Sequence, residues 1–583
     1  MVWTSGMVGS GQNRDKIPRP PIECPRAVLP DDFRPSGVPT ASATAPLAYT
    51  WRMRVLRRTL GTLLLLCAAP ALATACAAAR GDDARPGDAP RAAPAPFERL
   101  LPAPASARAG GPGYAFGAGT VIRTGRGSDE EVRKVGELLA EQLRGPSGLP
   151  LPVVDGAEGD GIRLRIDEEA EGTGDEGYRL ESGPTGVTLT ARTPAGLFHA
   201  GQTLRQLVPV AGPGTVPGGT VTDRPRFSYR GAMVDIARHF FTVEQVRRYV
   251  DQLAQYKVNT LHLHLTDDQG WRLAVDSWPR LAPYGGGSEV GGGPGGHWTK
   301  GQYRELVAYA ADRYVDVVPE IDMPGHTNAA LASYAELNCD GKAPERYTGT
   351  KVGFSSLCVG KERTYEFIDE VLGELAELTP GRYLHIGGDE ANSTPAADYA
   401  AFMDRAQAVV GRHGKTVVAW HQLASARPAA GAVLQYWGHD RTAAAEKAAV
   451  AAAAKAGHPV ILSPADRLYL DMKYDKATKP GPAWAGYVPV RRAYSWDPGA
   501  YLPGVAESAV LGVEAPLWTE TIANRADWEL MAFPRVLGLA ELGWSPAGAL
   551  GWDAYRERLA AQGPRMDAQD ITYYRDPEVP WQG

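Results

Sequence analysis

Two textures of apolar and polar positions meet at Asp223-Arg224-Pro225-Arg226. Upstream, over 98–224, the pattern is mixed. SDEEVRKVGELLAEQL (Ser128 to Leu143) puts apolar residues on one face behind an acidic first turn, which predicts an amphipathic helix. Gly161 to Asp167 and Tyr178 to Ala191 alternate with the period of strands, and Pro194 to Leu207 reads as a second helix. The expectation is a small α+β domain without a reactive cluster. Downstream, over 225–583, short apolar runs alternate with helical stretches. The runs are Tyr229–Ala237, Val258–Thr266, Tyr314–Asp322, Tyr383–Gly388, Thr416–Trp420, Ala432–Trp437, Pro459–Leu462 and Val510–Leu517. The first connection shows the pattern: Thr242 and Gln245 form a capping box, and Val243, Val246, Val250 and Leu253 then recur on one face. Eight strand–helix repeats predict an α/β fold, a (β/α)8 TIM barrel. A doubly wound open sheet is the competing arrangement, but no glycine-rich dinucleotide loop follows the first run.

The front of the chain belongs to neither domain. Residues 1–52 are rich in Pro, Arg and Gly and lack sustained periodicity, and they read as a non-native upstream extension or a disordered start, with Met53 as the native beginning. Arg54, Arg57 and Arg58 then precede the apolar stretch that begins at Leu60, and Ala-x-Ala sites follow. That is the architecture of an export signal over 53–76, so the protein is expected to be extracellular or at the cell surface. Two readings of Ala73-Thr74-Ala75-Cys76 stand side by side. One is a lipoprotein site, with acylated Cys76 anchoring the protein to a membrane; the other is simple cleavage releasing a soluble protein. Residues 77–97 read as an Ala/Pro-rich linker.

Composition narrows the chemistry. A net charge of -6 implies no basic face and argues against nucleic acid as a partner. Fourteen tryptophans serve equally as core material or as platforms for sugar rings. Of the five cysteines, Cys24, Cys67 and Cys76 lie ahead of the folded body. For an exported protein, the remaining Cys339 and Cys358 are expected to form a disulfide; two free thiols are the alternative. No cysteine or histidine spacing matches a metal site.

Barrel active sites form at the carboxyl ends of the strands, and polar or aromatic residues cluster there in this sequence. Arg238 and His239 follow the first run; Asp267, Asp268 and Trp271 the second; Asp322 and His326 the third; Asp389 and Glu390 the fourth. Trp420, Trp437, Tyr469 with Asp471, and Trp518 with Glu520 follow the other four. Such a mouth is acidic, Trp-lined and nearly free of Lys, which suits a neutral, hydroxyl-rich substrate. Asp389-Glu390 is the sharpest feature. Alone, such a pair reads as a solvated turn. Behind a strand and Gly387-Gly388 it supplies two repelling carboxylates, one of which keeps its proton and serves as a general acid. Neighbours in sequence flank a glycosidic bond poorly, since acid and nucleophile ordinarily stand about 5–9 Å apart. The easier division has one carboxylate protonate the leaving oxygen while the other orients part of the sugar. His262 and His264 point to one face of their strand, where they either ligate a metal or pack structurally; no matching ligand set appears on later strands, which favours packing.

At this point the motifs become specific: YRGAMVDIARHFF (Tyr229 to Phe241), NTLHLHLTDDQGWR (Asn259 to Arg272), PEIDMPGH (Pro319 to His326), HIGGDE (His385 to Glu390) and PLWTE (Pro516 to Glu520). The chain resembles the family-20 glycoside hydrolases, the β-N-acetylhexosaminidases, particularly actinobacterial exo-acting members, over about 98–570. The resemblance implies removal of terminal N-acetylglucosamine or N-acetylgalactosamine from oligosaccharides, with no cofactor or metal and with retained configuration through an oxazolinium intermediate, the substrate-assisted exception to the two-carboxylate scheme. It implies that Glu390 is acid and then base, that Asp389 orients the acetamido N–H, and that Tyr469 binds the acetamido oxygen. Trp420, Trp437 and Trp518 would wall the acetamido pocket. Arg238, Asp471 and Glu520 would hold sugar hydroxyls, Asp267 and His326 would form a relay behind Glu390, and Trp484 would flank the aglycone. The glycine-rich insertion Gly285 to Gly296 is expected at the cleft rim. Two rival functions are a metal-dependent barrel hydrolase built on His262 and His264, and a catalytically silent glycan-binding protein; the latter would be expected to lack Asp389 or Glu390.

Overall fold

Eight parallel strands close into a barrel in the computed structural model, each one following the last: Tyr229–Asp235, Thr260–His264, Asp316–Glu320, Tyr383–His385, Thr416–Trp420, Val433–Tyr436, Val460–Leu462 and Val510–Leu517. The last pairs with the first, Gly512 opposite Tyr229 and Leu517 opposite Val234. The structure describes residues 95–581 except 126–128, 157 and 170–171. The upstream extension, the export signal at 53–76, residues 77–94 of the linker, and Cys24, Cys67 and Cys76 therefore lie outside the described residues.

Each apolar run in the sequence contains one barrel strand; Thr416–Trp420 and Val510–Leu517 coincide with theirs, and the others are trimmed where the backbone turns out of the ladder. The first strand is buried at every position, as expected of a parallel strand covered on both sides. Helix Val243–Ala254 carries the expected capping box, with the Thr242 side chain accepting the Gln245 N–H.

The small domain is a seven-stranded mixed sheet with helices Glu130–Ser147 and Pro194–Leu207. The stretch Tyr178–Ala191 is a hairpin, Tyr178–Gly183 antiparallel to Gly186–Ala191. This domain and the barrel form one compact unit, joined by buried polar contacts at the end of the barrel opposite the strand termini. Asp223 accepts from Tyr178 at 2.7 Å and from the Trp544 indole at 2.9 Å, and pairs with Lys257 at 3.3 Å. Glu176 pairs with Arg230 and His199. A buried ion needs such partners, because stripping its water costs several kcal/mol.

A disulfide joins Cys339 to Cys358. It closes the loop that follows the third strand, and Ser355 in that loop donates to Asp268 at 2.5 Å, which ties the loop to the end of the second strand.

Candidate active site

The carboxyl ends of the strands surround a cleft of about 560 Å³. Arg238, His326, Asp389, Glu390, Trp437, Tyr469, Asp471, Trp484, Trp518 and Glu520 line it, together with Thr350, Val352, His439, Pro482 and Thr521. No lysine lines it.

The fourth strand ends in a turn that aims two adjacent carboxylates. Gly387 (φ 61°), Gly388 (φ 97°) and Glu390 (φ 43°) all take the left-handed conformation. At Gly387 a Cβ would lie 1.6 Å from Asp322 Oδ1, so only glycine fits. The Gly388 N–H donates to that same oxygen at 3.0 Å, and Tyr399 donates to the Gly388 carbonyl at 2.7 Å. Asp389 is thereby buried in the cleft wall, while the Glu390 carboxylate stands about one-third exposed. Burial, reinforced by the nearby charges of Glu390 and Glu320, pushes the Asp389 carboxyl up to about 6, against the opposing pull of His326. Asp322 behind it is driven well above the usual carboxylate range by burial and by Asp389.

His326 reaches the pair from the loop after the third strand. Its Nε2 lies 3.5 Å from Glu390 and 3.8 Å from Asp389, and its Nδ1 donates to Asp267 Oδ1 at 3.1 Å. Burial works against the charged imidazole, but Asp267 and Asp389 raise it well above the ordinary histidine range. Asp267 resists burial in turn: Arg238 and His326 hold its carboxyl well below the ordinary range.

Arg238 is fixed from two strands. Its Nη2 meets Asp267 at 2.7 Å and its Nη1 lies 3.5 Å from Asp235. Asp235 also accepts the Thr519 N–H and hydroxyl, each at 3.0 Å, which stitches the end of the first strand to the end of the eighth. The guanidinium packs over the Trp518 ring at 4.9 Å. Trp518 packs in turn against Trp420 at 5.8 Å and Tyr469 at 6.1 Å, and Trp484 closes on Tyr469 at 5.9 Å and Trp437 at 6.2 Å. Trp484 is 48% exposed, a flat apolar face on open water. Burial and Glu520 push the Asp471 carboxyl well above its ordinary range.

The sequence-derived site residues thus converge, with two differences of place. Trp420 and Asp267 do not line the cleft; they sit beneath it, Trp420 fully buried with its indole N–H donated to Glu320 at 3.0 Å. The Gly285–Gly296 insertion contributes nothing to the lining either. The buried Arg272 draws it inward, donating to the carbonyls of Gly286, Ser288 and Gly296 and also to those of Ile236 and Ala237. The insertion therefore buttresses the backbone that carries Arg238, with Val290 N–H donating to the Arg238 carbonyl at 2.9 Å.

Several functional supports escaped the sequence reading. Arg535, on helix Arg535–Trp544, donates to the carbonyls of Leu470, Met472 and Val488 and so pins the long loop bearing Tyr469, Asp471 and Trp484. Asp322 was noticed only as a strand-end acid. Its signal was a pair of acids in the otherwise apolar PEID. The His-x-His pair sits among acids: His262 lies between Glu514 (2.8 Å) and Glu320 (3.1 Å), and His264 between Glu320 (2.5 Å) and Asp267 (2.8 Å), and the later strands place Glu320 and His385 beside His262, a set of possible ligands that the sequence reading did not find.

Comparison with known proteins agrees with this geometry. The family model "Glycosyl hydrolase family 20, catalytic domain" matches residues 227–547, and "Glycosyl hydrolase family 20, domain 2" matches 98–224. A β-N-acetylhexosaminidase of Cellulomonas fimi is 42% identical over 477 residues, which is 81% of this chain and 95% of that protein. Among solved structures, the GH20 β-N-acetylhexosaminidase of Streptomyces coelicolor A3(2) is 62% identical, with a TM-score of 0.82 over 84% of this chain and all of that one. A mutant β-hexosaminidase of Streptomyces plicatus, solved in complex with product (GlcNAc), is 61% identical, with a TM-score of 0.81 over 84% of this chain and 99% of that one.

Proposed function

The chain belongs to glycosyl hydrolase family 20 and is a β-N-acetylhexosaminidase; on that premise we propose that it is exo-acting and retaining and that its own residues divide the reaction as follows. Glu390 donates its proton to the glycosidic oxygen as the acetamido carbonyl oxygen attacks the anomeric carbon. The glycosidic bond breaks, the aglycone leaves as an alcohol, and a cyclic oxazolinium forms. Asp389 accepts the acetamido N–H, holding the group in line and countering the positive charge that develops there. Tyr469 donates to the acetamido oxygen. Glu390, now a carboxylate, takes a proton from water as that water opens the oxazolinium. An intramolecular nucleophile fixed in place is worth up to ~7–11 kcal/mol.

The observation that carries this reading is a set of unpartnered polar atoms. Arg238 Nε, Asp389 Oδ1 and Asp471 Oδ1 are buried, lack a hydrogen-bond partner within the protein, and belong to residues of one cleft. Buried polar groups are almost always paired; here a terminal sugar would pair them, Arg238 and Asp471 at its hydroxyls and Asp389 at its amide. Trp437 and Trp518 wall the acetamido pocket, Trp420 packs beneath Trp518, Glu520 serves the sugar's outer hydroxyls, and Trp484 offers its face to the aglycone. Proton NMR of p-nitrophenyl N-acetyl-β-glucosaminide hydrolysis tests the scheme: β-N-acetylglucosamine should appear first and then mutarotate, and first appearance of the α-anomer would refute it.

Export and attachment form a further part of the proposal. The Arg-led apolar stretch after Met53 and the Cys339–Cys358 disulfide both support work in an oxidising compartment. Intact-mass analysis of the mature enzyme distinguishes acylated Cys76 from simple cleavage; recovery of a chain retaining residues 53–76 in the cytoplasm would contradict export.

A further inference from the structure

Beneath the cleft, the barrel interior holds a carboxylate that hydrolysis itself does not use. Glu320 ends the third strand and is fully buried. Parallel register places it beside His264 on one neighbouring strand and His385 on the other. Its Oε2 meets His264 Nδ1 at 2.5 Å and His262 Nε2 at 3.1 Å. Its Oε1 accepts the Trp420 indole N–H at 3.0 Å and lies 2.9 Å from His385 Nδ1.

Two routes lead from this carboxylate to the cleft. Through His264 the contacts run to Asp267 Oδ2 (2.8 Å), from Asp267 Oδ1 to His326 (3.1 Å), and from His326 to Glu390 (3.5 Å). Through Trp420 they run to the Trp518 ring, which lines the cleft. We propose that Glu320 is a positioning residue that holds the proton donor and the acetamido pocket in one mutual geometry, one oxygen serving each. The idea rests on the roles assigned above to Glu390 and the tryptophans.

The physical case is one of satisfaction and stiffness. A carboxylate removed from water is unfavourable unless its lone pairs are filled, and here each oxygen has two nitrogen neighbours. Burial opposes charge on the His262 and His264 rings against it, but Glu514 and Glu320 raise His262 to about 9, and Glu320 and Asp267 raise His264 well above the ordinary histidine range. Carboxylates and imidazoles therefore alternate from Glu514 through His262, Glu320, His264 and Asp267 to His326. A densely paired network of this kind favours one arrangement, and reacting groups need placement to within about 0.5 Å. Glutamine in this position offers a single acceptor oxygen, so it cannot serve both routes.

The test is steady-state kinetics of Glu320→Gln on aryl N-acetyl-β-glucosaminides with good and poor leaving groups, and on the matching N-propionyl glycosides. We expect kcat/KM to fall about tenfold more for poor leaving groups than for good ones, together with weaker discrimination between acetyl and propionyl. His264→Gln should reproduce the first effect alone and Trp420→Phe the second alone; these two variants decide the matter if Glu320→Gln does not fold. Uniform loss across all substrates, or wild-type selectivity in both single-route variants, overturns the proposal. Glu390→Gln runs alongside: if it lacks leaving-group dependence, the acid assignment itself has failed, whereas a dependent Glu390→Gln beside a uniform Glu320→Gln refutes the positioning role alone.

Discussion

Asp389→Asn should make the enzyme more stable and nearly inactive at once. Burial and the charges of Glu390 and Glu320 lift the Asp389 carboxyl from an ordinary 3.8 to about 6. The folded protein therefore binds this proton more tightly than the unfolded chain. Full benefit exists below the unfolded value near 4 and is lost as pH rises through 6, so at pH 7 the ionised carboxylate destabilises the fold. Two pKa units correspond to at most about 3 kcal/mol. An amide removes that cost. It also removes the charge that counters the oxazolinium, for which a loss of about 10²–10³-fold in kcat is expected. Urea unfolding at pH 7 and at pH 4, beside kcat on chitobiose, checks both parts. The variant should resist more urea at pH 7, and the gap should close by about pH 4. In the wild type, kcat/KM should fall roughly tenfold per pH unit below 6 as Asp389 gains its proton. A variant no more stable than wild type at pH 7, or one that keeps its turnover, would refute the reasoning.

Four other expectations follow from the same geometry. Glu390→Gln should cut turnover of chitobiose by about 10²–10⁴-fold while sparing aryl substrates whose leaving group needs no proton; near-normal chitobiose hydrolysis would count against Glu390 as the acid. Gly387→Ala drives a Cβ into Asp322 at a left-handed φ, so the Asp389-Glu390 turn must shift, and kcat should drop by about 10²-fold with a smaller effect on stability; unchanged kinetics would show that the turn tolerates a side chain. Cys358→Ser opens the loop that carries Thr350 and Val352 to the cleft, which should lower stability by about 3 kcal/mol and raise KM for longer oligosaccharides; a variant with unaltered melting would contradict that. Because both nitrogens of His262 and His264 already face carboxylates, dialysis against a chelator should leave kcat unchanged, and restoration of a lost rate by a divalent ion would revive the metal-dependent alternative.

The barrel was legible because parallel strands buried on both faces read as short apolar runs, and because capping residues such as Thr242 mark where helices begin. The chemistry was legible because strand ends collect at one rim, so Arg238, Asp389, Tyr469 and Trp518 could be grouped without knowing their coordinates. Depth was not legible. Nothing in the strand Thr416–Trp420 says that Trp420 lies under the cleft while Trp437 lines it, since that depends on strand tilt and on a hydrogen bond to Glu320. The supports were hidden for a related reason. Arg272 and Arg535 bind backbone carbonyls of segments remote in sequence, and an arginine looks the same in a one-dimensional pattern whether its partners are water or a loop. The Gly285–Gly296 insertion, expected at the cleft rim, is tied by Arg272 to the backbone that leads to Arg238.

The central claim is that the substrate's own acetamido oxygen is the nucleophile, held by Asp389 and a tryptophan-walled pocket. Its most direct test is hydrolysis of p-nitrophenyl N-acetyl-β-glucosaminide beside p-nitrophenyl β-glucoside, with and without a thiazoline analogue of the oxazolinium. The account predicts cleavage of the N-acetyl sugar alone, abolished by the thiazoline. Equal cleavage of both glycosides, or cleavage indifferent to the thiazoline, would contradict it.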